Sequence, residues 1–139
     1  MNIPLVLLLV FVANFTPNTP NDYDYHNLHQ ALWQVESAKQ LHPADGDNGR
    51  AIGPFQIWWV YWQDAYDYDK SLGGTYEDCR DYYYALKVMH AYWSRWVPDA
   101  LRNHDYEVLS RVHNGGPRGH HKDATMGYWY RVKRALESE

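Results

Sequence analysis

A single cysteine, Cys79, constrains this chain more than any other feature, because it leaves no intramolecular disulfide to form. The fold must therefore stand on burial alone. The 139 residues suit one domain. With an N-terminal leader set aside, about 120 remain, above the size at which covalent staples become necessary. The material for a core is aromatic: 7 Trp, 13 Tyr and 3 Phe make 17% of the chain. Most such rings belong inside, since each buries a large apolar area, and an excess of this size also suits a cleft that stacks flat ligands, sugars among them. Hydrophobic residues at 45% and charged ones at 22% match a soluble globular domain and exclude disorder or a multi-span membrane protein. A net charge of −4 argues against a nucleic-acid binder that works by neutralising phosphates.

The N-terminus reads as an address. Ile3 to Ala13 is an apolar run, followed by a polar, Pro-rich stretch from Asn14 to Asn21. A membrane-spanning helix needs about 20 apolar residues, so the run is too short to span. It fits the hydrophobic region of a secretory signal peptide. The expected organisation is a signal peptide over residues 1–20, a single domain over 21–139, and export from the cell. Asn14-Phe15-Thr16 forms a glycosylation sequon at the boundary.

Periodicity then predicts a mostly helical α+β chain. Leu28, Ala31, Leu32 and Val35 recur at helical spacing within Tyr25 to Ser37, with Asp22 or Asp24 as a cap. His42 to Arg50 is loop chemistry, and Asn48-Gly49 signals a tight turn. Short strands on either side of that turn would form a small β-hairpin ending near Phe55-Gln56-Ile57. Further helices are expected over Trp58 to Tyr66, Asp81 to Trp96, Tyr106 to Val112 and Thr125 to Leu136. Pro98 should close the second of these helices, and Asp105 should cap the third. His113 to His121 reads as a Gly-rich loop.

Glu36 is the first candidate for chemistry. Four residues after Leu32, it sits at the edge of the apolar stripe near the helix's C-terminal end, within reach of Trp33. Partial desolvation and the negative end of the helix dipole both raise its pKa, as a general acid requires. Asp45 and Asp47 follow on a Gly-rich turn. A helix-borne glutamate facing a loop aspartate is the two-carboxylate arrangement of glycoside hydrolysis.

Val35-Glu36-Ser37, Asp47-Asn48-Gly49, Gly53-Pro54-Phe55-Gln56-Ile57, Tyr61-Trp62-Gln63-Asp64, His113-Asn114-Gly115-Gly116-Pro117-Arg118-Gly119 and Gly127-Tyr128-Trp129 occur in that order. Over roughly residues 30 to 133 the chain resembles the invertebrate-type (i-type) lysozymes, also called the destabilase family. The resemblance implies a lysozyme-like fold and hydrolysis of β-1,4 bonds in bacterial peptidoglycan, with chitin oligomers as a further substrate class in some relatives. By position it makes Glu36 the general acid and Asp47 the second carboxylate, with Asp45 the alternative. Members of the family are usually rich in disulfides, whereas Ala31, Trp33, Ile52, Ala65, Val88 and His120 stand where cysteines are common. Between Asp47 and Gly53 the stretch is about one residue shorter and carries Arg50 and Ala51 in place of serines.

Several other residues have two readings. The Gln56 amide can bond a sugar N-acetyl group or hold the hairpin to the helix. Tyr61 and Trp62 can stack on sugars or pack between helices. His113, Asn114 and Gly115 are expected to shape the cleft wall and contact substrate, and Arg118 is either a carboxylate partner or solvated. No cofactor is implied. His26 with His29, and His120 with His121, lack a third ligand or a His-Glu-x-x-His pattern, so no metal site is expected. Two rivals share parts of the pattern: a lytic transglycosylase using Glu36 alone, and a sugar-binding module without turnover.

Overall fold

The computed structural model describes residues 25–138. The leader, the sequon and the capping roles of Asp22 and Asp24 lie outside them. No helix among the described residues is long and apolar enough to cross a membrane.

The first helix, α1 (His26–Ser37), buries Leu28, Ala31 and Leu32, three members of the expected stripe. It stops sharply because Ala38 and Lys39 turn left-handed, at φ 54° and 57°. Their N–H groups return to the carbonyls of Gln34 and Trp33, satisfying acceptors that a helix end leaves open. Two side chains fix this end. The Trp33 indole donates to the Gln40 carbonyl at 2.8 Å, and the Ser37 hydroxyl donates to the Pro54 carbonyl at 2.9 Å. The second bond ties the helix carrying Glu36 to the hairpin.

The hairpin pairs β1 (Ala51–Ile52) with β2 (Ile57–Trp58), Ala51 opposite Trp58 and Ile52 opposite Ile57. Its turn is therefore Gly53 to Gln56, later than the Asn48-Gly49 position expected. Asn48 and Gly49 do turn, at φ 57° and 85°, but they close only a single bridge between Gly46 and Ala51. The physical reason lies in composition: nothing from His42 to Gly46 favours a strand, whereas isoleucines and a tryptophan flank the later turn. Gly53 is essential to that turn. It sits at φ 74°, and a Cβ there would collide with the Cys79 carbonyl.

The remaining helices are α2 (Trp59–Tyr68), α3 (Tyr82–Trp96), α4 (Pro98–Arg102), α5 (Tyr106–Gly115) and α6 (Met126–Glu137). Asp81 caps α3 by accepting from the Tyr84 N–H, and Asp105 caps α5 through that of Val108. Pro98 ends one helix and begins another, because its fixed φ and missing N–H suit a first helical position. His113, Asn114 and Gly115, expected in a loop, form the last turn of α5. Val112 and His113 continue its buried face, and the chain leaves the helix only at Gly116, φ 88°.

Helix α2 packs on α3 and α1 on α6. Rings fill the space between them. Trp93 is fully buried and donates its indole N–H to the Leu109 carbonyl at 3.0 Å, and Tyr61 stacks on Tyr92 with centroids 3.7 Å apart. Ala31, Ile52, Ala65 and Val88 are core residues. Cys79 is completely buried, and burial pushes its thiol well above the ordinary range, so it is inert.

Two stability predictions follow from this packing. The melting temperature should be the same with and without excess reductant in a scanning calorimeter. Gly53→Ala should cost more than about 2 kcal/mol in urea denaturation, since strain and a backbone collision add.

Candidate active site

A cleft of about 200 Å³ opens where the end of α1, the Asp47–Gly49 turn, the hairpin and the end of α5 meet. Glu36, Asp47, Ala51, Gln56, Trp58, His113 and Asn114 line it. Five of the seven expected site residues are thus brought together. A larger groove of about 730 Å³ between α1 and α3 is lined by rings and histidines and carries no carboxylate, so the paired carboxyl groups lie in the smaller cleft.

Glu36 is the buried group of the site, its side chain only 16% exposed. Its Oε1 accepts a hydrogen bond from the Tyr128 hydroxyl of α6 at 2.7 Å. Burial raises its pKa to about 7, against the opposing pull of the Tyr128 bond and of Arg131. The closest imidazole does not reverse this. His113 donates from Nε2 to the Phe55 carbonyl at 3.1 Å, and its Nδ1 accepts from the Tyr61 hydroxyl at 3.0 Å. That pattern fixes the neutral tautomer, and burial lowers the His113 pKa to about 4. Its 3.8 Å approach to Glu36 is therefore a contact with a neutral ring and not an ion pair near neutral pH.

Asp47 differs in every respect. Its side chain is 49% exposed, it sits on a turn, and its backbone is left-handed at φ 53°. Asp45 is engaged elsewhere: Arg80 grips it with both terminal nitrogens, at 2.6 and 3.1 Å, and this bond holds its carboxyl below the usual range. Asp45 does not line the cleft. Gln56, also left-handed at φ 52°, donates from Nε2 to the Gly53 carbonyl, and its Oε1 rests against Gly46 where any Cβ would collide.

Tyr61 lies behind the cleft, buried, and reaches it only through His113. Gly115 likewise packs behind the wall against Thr125, its carbonyl accepting from Lys122. Trp58, which sequence reasoning read only as the start of a helix, is a cleft residue. Strand alternation turns Ile57 inward and leaves Trp58 38% exposed, with the Arg50 guanidinium 5.0 Å over its ring. Among the described residues no group of three metal-ligating side chains is placed to hold an ion.

The Destabilase family model matches residues 24–135. The chain belongs to the destabilase family. Within that family it is 35% identical over 89 residues to a lysozyme of Ostrea edulis, covering 62% of each chain. It is 33% identical over 117 residues to invertebrate-type lysozyme 6 of Caenorhabditis elegans, covering 75% of this chain and 81% of that one. The chain spans only 45% of lysozyme 1 from Crassostrea virginica, at 34% identity. Among solved structures, Meretrix lusoria lysozyme in complex with Aeromonas hydrophila PliI superposes with a TM-score of 0.65 at 29% identity, covering 78% of this chain and 88% of that one.

In this destabilase-family cleft the Tyr128 hydroxyl favours the charged form of Glu36, so its removal has a defined sign. Tyr128→Phe should raise the Glu36 pKa further above 7, read by NMR titration of the labelled side-chain carboxyl. A downward movement would mean that the phenol is not donating.

Proposed function

We propose that the chain is a secreted muramidase, hydrolysing the β-1,4 bonds between N-acetylmuramic acid and N-acetylglucosamine in bacterial peptidoglycan. One observation carries this reading: a carboxyl that holds its proton near neutral pH shares a cleft with a half-exposed one. Two carboxylates in contrasting environments are what acid-assisted glycoside cleavage needs. Glu36 gives its proton to the glycosidic oxygen, and the bond from that oxygen to C1 breaks. Positive charge develops on C1 and the ring oxygen, and the Asp47 carboxylate meets it. Water then supplies hydroxyl to C1 and returns a proton to Glu36. Trp58 offers a face for a sugar ring, and the amides of Gln56 and Asn114 can hydrogen-bond N-acetyl groups. Tyr61 and Gly115 act from behind the wall.

The relatives named lysozyme, which cover much of this chain, support the same reading. The Ile3–Ala13 run supports export. The presence of Asp47 in the cleft favours hydrolysis over the single-glutamate chemistry of a lytic transglycosylase.

The test is mass spectrometry of digested peptidoglycan. The wild type should release muropeptides with reducing ends, and Glu36→Gln should lose at least about a hundredfold in rate while keeping its fold. Anhydro ends would make the protein a transglycosylase, and tight binding without product would make it a sugar-binding module. Asp47→Asn should be far more damaging than Asp45→Asn, and the reverse order would exchange their roles. In the wild type kcat/KM should fall as pH rises through about 7, because Glu36 loses the proton it must donate.

A further inference from the structure

The turn that carries Asp47 is followed at once by a cation, beside Asp47 and Trp58 of the cleft lining. Arg50 follows the turn that bears Asp47 and directly precedes β1. Two contacts hold its guanidinium and a third its backbone. Its Nε donates to the Asp47 carbonyl at 3.1 Å, its Cζ lies 5.0 Å over the Trp58 ring, and its own carbonyl accepts from the Tyr76 hydroxyl at 3.2 Å. Stacking and the Nε bond leave the two terminal nitrogens pointing to other work. Their one carboxylate neighbour among the described residues, Asp47, forms a long ion pair with one of them at 3.7 Å, without a hydrogen bond. The side chain is 58% exposed. Arg80, the next guanidinium along the chain, is different: all three of its nitrogens are taken by Asp45 and Glu77.

The surroundings make this cation consequential. The chain carries a net charge of −4, and the cleft itself presents the half-exposed carboxyl of Asp47. An acidic ligand entering such a cleft meets repulsion unless a fixed positive group faces it. A planar fork with two free donors, held against an aromatic face that also lines the cleft, suits bidentate capture of a carboxylate. The ring would hold the sugar and the guanidinium the acid attached to it.

We propose that Arg50, seated on Trp58, reads a carboxylate substituent of the bound glycan and gives the cleft its preference for acidic over neutral N-acetylated sugars. The inference rests on the reading of the cleft as a glycan site. In peptidoglycan the carboxylate has two sources, the stem peptide or a lactyl group freed of its peptide, and both present the same anion to the fork.

The experiment measures binding, not turnover, so it does not depend on which reaction the cleft performs. Calorimetry on the Glu36→Gln protein compares three ligands: peptide-bearing glycan oligomers, the same oligomers stripped to free lactyl carboxylates, and neutral chitotetraose. Adding Arg50→Gln should reduce the preference for acidic over neutral ligand about fivefold, as expected for one partly exposed charge-assisted contact. The wild-type preference should also shrink with added salt. A loss confined to the stripped ligand assigns the contact to the lactyl carboxylate, a loss confined to the peptide-bearing one assigns it to the stem peptide, and a loss with both shows that the fork takes either anion. An unchanged preference, or equal weakening of all three ligands, overturns the role of Arg50, the second result meaning that it merely supports the turn. Failure of the Glu36→Gln protein to bind any of the three overturns the glycan reading as well.

Discussion

The site depends on the burial of one carboxyl. Glu36 closes α1, its hydroxyl partner Tyr128 belongs to α6, and the imidazole beside it comes from α5. That imidazole is held in turn by a carbonyl of the hairpin turn and a phenol of α2. Five elements therefore converge on one acid. Desolvation outweighs the hydroxyl bond and the nearby arginine, and the acid keeps its proton to about pH 7. The sign of the linkage follows: the folded state binds this proton more tightly than the unfolded chain. The stabilisation it brings is complete below the ordinary pKa of 4.5 and is lost as pH rises through 7. The cost of the charged carboxylate there is on the order of 3 kcal/mol, a sizeable share of a small domain's stability.

Such a cost is bearable only on a rigid frame, and the frame here is aromatic. Ala31, Ile52, Ala65 and Val88 are buried among the rings, and the only cysteine is free. Rings do the joining. Tyr61 on Tyr92 binds α2 to α3, and the Trp93 indole binds α3 to the Leu109 carbonyl of α5. Tyr61 serves both purposes, packing against Tyr92 on one side and orienting His113 with its hydroxyl. Core and site are the same residues seen from two directions, which is why the aromatic excess belongs mainly to packing while Trp58 alone among the rings lines the acidic cleft.

The parts of this arrangement legible in the sequence are the local ones. The stripe of α1 and the position of Glu36 at its edge follow from helical spacing, and Asp105 as a cap follows from chemistry within three residues. The hairpin turn was harder, because Asn48-Gly49 is a genuine turn whose upstream neighbours cannot pair. Helical continuation through Asn114 and Gly115 was hidden because glycine content suggests loop, whereas burial of Val112 and His113 decides the matter. Long-range partners leave no local trace. Nothing near Asp45 announces that Arg80, 35 residues away, will occupy it, nor does Tyr128 announce a bond to a residue 92 positions earlier. The Ile-Trp alternation after Gln56 is the local signal that Trp58 faces outward.

Backbone strain gathers at the same place. Asp47, Asn48 and Gln56 all occupy left-handed conformations that cost non-glycine residues energy, and two of the three line the cleft. The two that line the cleft are held by neighbours: the Asp47 carbonyl by the Arg50 Nε, and the Gln56 amide by the Gly53 carbonyl and the bare Cα of Gly46. Arg50 fastens the turn to the strand, its Nε on the carbonyl behind it and its guanidinium over the indole beside it, and so braces the strained stretch from both sides.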